Sequence, residues 1–224
     1  MSHRAARPVV ALLLAAAAAS CGGGEKKVVD NYFNAVRAKD NQTMSSFAAI
    51  DFNEPVTAWK VQSSREEAPV PATLPQLSTR MRELEAEVAA NKKAAGAYSL
   101  QKFADIQKVN DLKQKNAPIP AALASVATEW DKFNQKDREL KKQLSAAKQE
   151  LDKEKRSARL SVGDLEDLDS LQGQVQTKHV DVEVTANGQT KPYVMTLRKY
   201  DLKREAGGPR PMSRWIIQDL KPKS

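Results

Sequence analysis

The 224-residue chain has few of the residues that build reactive centres: one cysteine, two histidines and 5% aromatic residues. A single cysteine cannot form an internal disulfide. His179 is the only histidine beyond His3, which argues against a zinc site and against a serine, histidine and acid triad. No glycine-rich loop follows a buried strand, so a phosphate-binding loop is not predicted. These absences predict a non-enzymatic protein without a metal or a catalytic cofactor.

The chain also lacks a long apolar run near its amino end. The apolar stretch from Val9 to Ala19 has about half of the roughly 20 residues that span a bilayer. It follows Arg4 and Arg7 and precedes Ser20 and Cys21, which gives it the charged, apolar and small-residue parts of a secretory signal. Residues 1–20 are therefore predicted to be a signal peptide that is cleaved between Ser20 and Cys21.

Ala18-Ala19-Ser20-Cys21 resembles the lipobox of bacterial lipoproteins, in which the cysteine becomes the lipidated amino terminus. The resemblance implies a covalent lipid on Cys21 and a lipid-anchored protein of the cell envelope that faces the periplasm. Several acyl chains anchor stably, because each buried methylene contributes about 0.8 kcal/mol. In some bacteria an aspartate directly after the lipidated cysteine retains the lipoprotein in the inner membrane. This chain has Gly22 at that position, which favours the outer membrane. The alternative is an ordinary cleaved signal with an incidental thiol.

Glycines follow this cysteine, so residues 21–25 are expected to form a flexible tether. The formal net charge is +8, with lysines interspersed among acidic residues along helical segments. That pattern is typical of solvated helix faces, and a nucleic-acid partner is not predicted. The acidic cluster from Asp164 to Asp169 is interleaved with leucines, which favours a short amphipathic helix capped by Asp164 over a calcium loop.

Two central segments repeat apolar residues at alternating three- and four-residue steps, the pattern of a coiled coil. The first carries Leu77, Met81, Leu84, Val88, Ala95 and Tyr98, and the second carries Leu123, Val126, Trp130, Phe133, Leu140, Leu144 and Leu151. Pro118-Ile119-Pro120 separates them and cannot continue a helix. Residues 76–159 are therefore predicted to form an antiparallel coiled-coil hairpin with arms of about 60 Å.

Folding the two segments about the proline turn predicts their register. Tyr98 is expected near Leu140, and Phe103 near Phe133. Lys102 and Asp137 then approach each other at the least apolar part of the seam. They either form an ion pair that offsets the desolvation of the carboxylate or both extend to solvent.

The remaining segments alternate between helix and strand signals. Glu25 to Lys39 has an amphipathic helical pattern, and Asp40 can cap a second, shorter helix. Val56 to Val61 has strand character, and Ala68 to Pro75, with three prolines, is expected to form a rigid extended linker.

Gly163 is expected to end the second long helix. Val175 to Thr185 alternates through Val180, Val182 and Val184, which predicts a strand with His179 on its opposite face. Asn187-Gly188 predicts a tight turn into a return strand. A third carboxyl-terminal strand follows at Trp215-Ile216-Ile217.

The order of these elements, with Tyr32-Phe33-Asn34-Ala35-Val36 in the first helix and Trp215-Ile216-Ile217-Gln218-Asp219-Leu220 in the last strand, resembles the cone-shaped α+β fold of the ketosteroid isomerase and nuclear transport factor two superfamily. The resemblance implies that residues 26–75 and 160–224 form one discontinuous α+β domain with a curved antiparallel sheet. The coiled-coil hairpin is then an insertion. No catalytic residue of the superfamily can be placed on this chain. If the domain has a pocket, Asp51 and Tyr32 are the polar residues to examine first.

The sequence thus predicts a lipid-anchored envelope protein that presents its coiled-coil arm to a protein partner. The protein is expected to contact the membrane through the lipid on Cys21. One alternative is a small-ligand binder with a cavity inside the cone. The other is a self-assembling structural lipoprotein, in which hairpins of neighbouring molecules form a four-helix bundle.

Overall fold

A computed structural model describes residues 23–204 and 211–223. The signal segment and the lipobox residues Ser20 and Cys21 lie outside the described residues. The described chain combines helices with an antiparallel sheet, which confirms a mixed α+β fold class.

Five α-helices and five strands follow one another along the described chain. The helices are α1 (Gly23–Ala38), α2 (Asn41–Ser45), α3 (Leu74–Gln101), α4 (Phe103–Gln114) and α5 (Ala121–Val162), with a 3-10 turn at Leu168–Ser170. The strands are β1 (Val56–Glu66), β2 (Val70–Pro71), β3 (Gln172–Ala186), β4 (Gln189–Lys203) and β5 (Ile216–Pro222). The sheet order is β1-β3-β4-β5, and β2 pairs with the opposite end of β3 from the β3–β4 turn. All of these strand pairs are antiparallel.

Local signals in the sequence set several of these boundaries. The Asp40 carboxylate accepts a 2.9 Å hydrogen bond from Thr43 N and so caps α2, as predicted. Asn187 and Gly188 have φ of 52° and 75°, the positive values that a tight turn between β3 and β4 needs. Gly163 ends α5 with φ of 88°.

The start of α1 corrects the predicted tether. The helix begins at Gly23, so residues 23–25 are helical rather than flexible. Glu25 is 6% exposed, and its carboxylate lies 3.5 Å from Lys178 Nζ and 3.4 Å from Ser64 Oγ. These polar contacts with two strands compensate the buried charge and hold the first turn against the sheet.

Two apolar cores lie on opposite faces of the sheet. The first packs α1 and α2 on one face and includes Val29, Tyr32, Phe33, Met44, Val180, Val182, Val184, Tyr193, Met195, Leu197 and Ile217. The second packs the ends of α3 and α5 on the other face and includes Leu74, Leu151, Ala158, Val162, Leu168, Leu171, Val175, Tyr200, Leu202 and Ile216. Because successive strand residues point to opposite faces, Ile216 and Ile217 serve different cores.

The second core draws on residues that the sequence assigned to a linker or to the hairpin. Leu74, in the predicted proline linker, is fully buried, and β2 pairs with β3. Leu151 and Ala158 of α5 are at most 1% exposed in the same core. The base of the long helices is therefore part of the body, since it covers one sheet face. The predicted helix after Asp164 is only the 3-10 turn at Leu168–Ser170.

Helices α3 and α4 follow one another and pack along α5. Because α3 and α4 form one side and α5 forms the other, we call these three helices the helix pair. Arg80 reaches Gln143 of α5, Asn91 Nδ2 lies 3.3 Å from Phe133 O, and Lys113 pairs with Asp131. As residue numbers rise along α3 and α4, those of the partners on α5 fall, so the two sides run in opposite directions.

The register of the helix pair differs from the predicted one. The Tyr98 ring packs against the ring of Phe133, with centroids 5.5 Å apart and planes tilted by 44°, and not near Leu140. Phe103 is 58% exposed and does not fill the seam. Asn91 is buried and its polar side chain needs a hydrogen-bond partner. The Phe133 carbonyl is that partner, and this contact agrees with the observed register.

Candidate functional site

The surface of the helix pair carries two exposed large apolar side chains close together in sequence. Leu100 is 83% exposed and Phe103 is 58% exposed. They flank Lys102, where α3 ends and α4 begins. We call Leu100 and Phe103, with the exposed Ala97 and Ala104 beside them, the apolar step.

Backbone hydrogen bonds explain why Phe103 lies outside. Lys102 N donates to Tyr98 O and Ile106 N donates to Lys102 O, both at 2.9 Å, so the helical path continues through the break. The seam then passes from Tyr98 to the buried Ile106 and Val109. With this spacing Phe103 is rotated away from α5, because neighbouring residues lie about 100° apart around a helix.

The surroundings of the apolar step contain small side chains. Ala97 and Ala104 are exposed and lie three and four residues from Leu100, on the same side of the helix. Ala86 and Ala90, nearer the start of α3, are also exposed. A side-chain carbon at Gly96 would meet nothing within 4 Å. Small side chains at these positions leave room for another helix to approach α3 beside Leu100 and Phe103.

The predicted pair between Lys102 and Asp137 is not among the ion pairs of the described residues. Asp137 lies 2.6 Å from Lys141 on its own helix. Tyr98 faces Phe133, and the helices run in opposite directions, so Lys102 lies beside α5 residues below 133. Asp137 is on the other side of Phe133, out of its reach.

A buried polar network fastens α5 to the sheet. Arg198 of β4 donates to the Glu154 carboxylate at 3.0 Å and to the Tyr200 hydroxyl at 3.1 Å. The Glu154 side chain is 12% exposed. Burial, with a smaller contribution from the Glu154 charge, raises the pKa of Tyr200 above its ordinary range. Tyr200 therefore stays neutral and serves packing.

Two buried serines of α5 complete this attachment. Ser157 Oγ donates to Gln218 Oε1 at 2.7 Å. Ser161 Oγ accepts the Tyr200 amide at 3.0 Å and donates to the Arg214 carbonyl at 2.8 Å. A cleft of about 500 Å³ opens beside Ser157 and Gln218, with Lys153, Arg156, Asp152 and Asp219 at its wall. The direction of α5 from the body is thus held by hydrogen bonds to two strands and their flanking loop.

Tyr32 and Asp51 differ sharply in exposure. Tyr32 is fully buried in the first core, edge-on to Phe33 at 5.3 Å, and Asp51 is exposed. Burial, followed by the nearby Asp51 charge, raises the pKa of Tyr32 above its ordinary range. The tyrosine ring is packed among core side chains, and its buried hydroxyl has no hydrogen-bond partner within the described residues.

His179 and the acidic cluster are engaged in polar contacts within the body. His179 lies on the sheet face opposite Val180, as the alternation predicted, but Glu67 at 2.7 Å and Thr196 at 3.3 Å partly cover it. Hydrogen bonds from Arg204 and Lys155 lower the pKa of Asp167 and Asp169, respectively, below the ordinary value. These carboxylates therefore act as ion-pair partners.

Sequence reasoning did not identify the apolar step or the attachment of α5. A signal for Leu100 was present, because this residue lies off the heptad seam that passes through Tyr98. No comparable signal marks Ser157 or Ser161, which resemble other small polar residues of a helix until their partners on the sheet are known.

Comparisons with known proteins identify no relative. No protein-family model, no curated protein and no solved structure matches the chain. In residues 23–204 and 211–223, no helix is both long and apolar enough to cross a membrane. The same residues contain no group of three or more histidine, cysteine, aspartate or glutamate side chains with metal-binding geometry.

Proposed function

We propose that this protein is a non-enzymatic, lipid-anchored protein of the bacterial cell envelope, in which the helix pair is an inserted antiparallel hairpin that binds another protein. The lipid is attached to Cys21, and the outer membrane is the favoured location. The order of elements in the α+β body resembles the cone-shaped fold of the ketosteroid isomerase and nuclear transport factor two superfamily. This body carries the hairpin as an arm.

The observation that carries this proposal is the apolar step on the helix pair. Helix α5 has 42 residues, about 63 Å at 1.5 Å per residue, and its contacts with the sheet cores begin only at Leu151. Before Leu151, α5 contacts the other two helices, as in the Arg80–Gln143 hydrogen bond and the Lys113–Asp131 ion pair. Leu100 and Phe103 lie on this projecting part, where exposed apolar side chains are typical of a protein-binding surface.

Site-specific photocrosslinking tests the arm. A photoreactive residue in place of Phe103, in the full chain expressed in cells, should yield a discrete crosslinked species. The double change Leu100→Ser and Phe103→Ser should weaken partner capture by at least about tenfold, since burying two large apolar side chains contributes about 3 kcal/mol or more. Because Phe103 is itself changed in this double variant, the photoreactive residue is placed at position 104 when capture is measured.

The matched control changes two exposed polar residues of α5, Lys136→Ser and Glu139→Ser, with the same residue at position 104. Capture should stay unchanged in this control. Equal capture by both double variants would contradict the proposed binding surface. Mass spectrometry of lipid on Cys21 tests the anchor separately.

Self-assembly is a second candidate function, favoured by the exposed alanines beside Leu100. Small residues let two like helices approach closely, as in a four-helix bundle of two hairpins. A crosslinked species of twice the chain mass would identify this candidate, whereas any other mass identifies a different protein.

A further inference from the structure

Helix α1 starts very close to the proposed lipid attachment. Two peptide steps separate Cys21 from Gly23, the first residue of α1, and this distance is at most about 7 Å for an extended chain. Glu25 is held against the sheet through Lys178 and Ser64. A lipid on Cys21 therefore brings the body itself to the bilayer surface, with the start of α1 nearest to it.

Trp215 lies beside this start of α1. A side-chain carbon at Gly24 would sit 3.8 Å from Trp215 Cδ1. Lys178 Nζ and Lys199 Nζ lie 5.1 Å and 5.9 Å from the centre of the Trp215 ring. The indole is half-buried, so part of its surface faces outward near the point where the chain leaves the body.

The lysines beside Trp215 and those in the first turns of α1 are not equally neutralised. Lys178 pairs with Glu25 and Glu66. The ion pairs of the described residues include none with Lys26, Lys27 or Lys199. Lys26 and Lys27 are exposed in the first turns of α1. This surface, which we call the basal face, consists of Trp215, Lys26, Lys27 and Lys199.

We infer that the basal face is a membrane-contact surface that binds anionic phospholipid headgroups. Tryptophan is enriched at membrane interfaces because its ring is apolar and its N–H is polar. A lysine near an anionic bilayer contributes roughly a fivefold increase in binding. The inference rests on the proposed lipid anchor, and it adds that the body lies on the membrane in one orientation.

Quenching of tryptophan fluorescence by brominated phospholipid tests the orientation. The lipidated full-length product, purified from membranes, is placed in vesicles of brominated phosphatidylcholine with 30% phosphatidylglycerol. Trp215→Phe should remove most of the quenching. Trp130→Phe, on the helix pair, should leave it unchanged. Quenching that survives Trp215→Phe, or that disappears with Trp130→Phe, would overturn the basal face.

Flotation of the same vesicles separates failure of the anchor from failure of the basal face. Protein that does not float and carries no lipid on Cys21 contradicts the proposed function. Protein that floats but shows no quenching at Trp215 retains its anchor and contradicts only the membrane contact.

A second set of variants avoids any change in the core. With Cys21→Ser in the otherwise unchanged processed chain, binding to vesicles with 30% phosphatidylglycerol is compared at low salt. The triple change of Lys26, Lys27 and Lys199 to Gln should weaken binding about 100-fold. The same triple change at Lys132, Lys136 and Lys142 of α5 removes equal charge and should have little effect. Equal losses in both sets would show attraction by net charge alone and overturn the inference.

Discussion

At the scale of single residues, the ion pair between Glu154 and Arg198 joins α5 to the sheet. Glu154 Oε1 is buried without a hydrogen-bond partner, and Oε2 accepts from Arg198 at 3.0 Å. A buried carboxylate that loses its cation keeps its desolvation cost. This pair therefore matters more for the attachment of α5 than the exposed ion pairs of the same helix.

Arg198→Ala should lower the free energy of unfolding by about 2 kcal/mol, because it leaves Glu154 buried and unpaired. Urea unfolding at neutral pH measures the change. Arg204→Ala is the control, since Arg204 pairs with Asp167 on the exposed surface and such pairs contribute little. A loss no larger than that of the control would show that Glu154 does not depend on Arg198.

At the scale of elements, glycine has opposite roles in the two long helices. Gly96 lies inside α3, and a side-chain carbon there would have free space. Gly163 ends α5 with φ of 88°, a conformation that alanine adopts only with strain. The first glycine weakens its helix, and the second terminates its helix.

Gly96→Ala should raise the free energy of unfolding of α3 by about 0.5 to 1 kcal/mol, since glycine in a helix interior costs backbone entropy. Gly163→Ala should lower stability by about 1 kcal/mol or more. Hydrogen exchange of α3 amides and urea unfolding of the whole protein measure the two effects. An increase in the free energy of unfolding caused by Gly163→Ala would contradict the positive φ described for the end of α5.

At the scale of the whole molecule, the two apolar cores use no residue between 85 and 138. Leu74 and Leu84 are buried on α3, and Leu140 and Leu151 are buried on α5. Residues 85–138 of the helix pair therefore contribute nothing to these two cores, whereas the parts of α3 and α5 next to the sheet do.

Replacing residues 85–138 with a short glycine and serine loop should leave a body that unfolds cooperatively, with the near-ultraviolet dichroism of Trp59 and Trp215 retained. Helical signal should fall in proportion to the residues removed. The control removes residues 76–159, which also takes Leu151, Ser157 and Ala158 from the body, and it should fail to fold. A folded control would contradict the role assigned to the base of α5.

Features that depend on neighbouring residues could be predicted from the sequence. The alternation through Val180, Val182 and Val184 predicted β3, Asn187-Gly188 predicted its turn, and Gly163 predicted the end of α5. The periodic apolar pattern predicted the long helices. Capping, turn geometry and one-sided burial act over a few residues, so the sequence contains enough information to place them.

Features that depend on distant partners could not be predicted in this way and follow from the three-dimensional fold. The first turn of α1 is held by Lys178, which lies on β3, and this pairing turned an expected tether into helix. The register that moves Tyr98 to Phe133 leaves Phe103 exposed, and the sheet covers Leu151 and Ala158. These outcomes follow from which side chains meet across the fold, and the spacing of apolar residues along one helix is compatible with several such pairings.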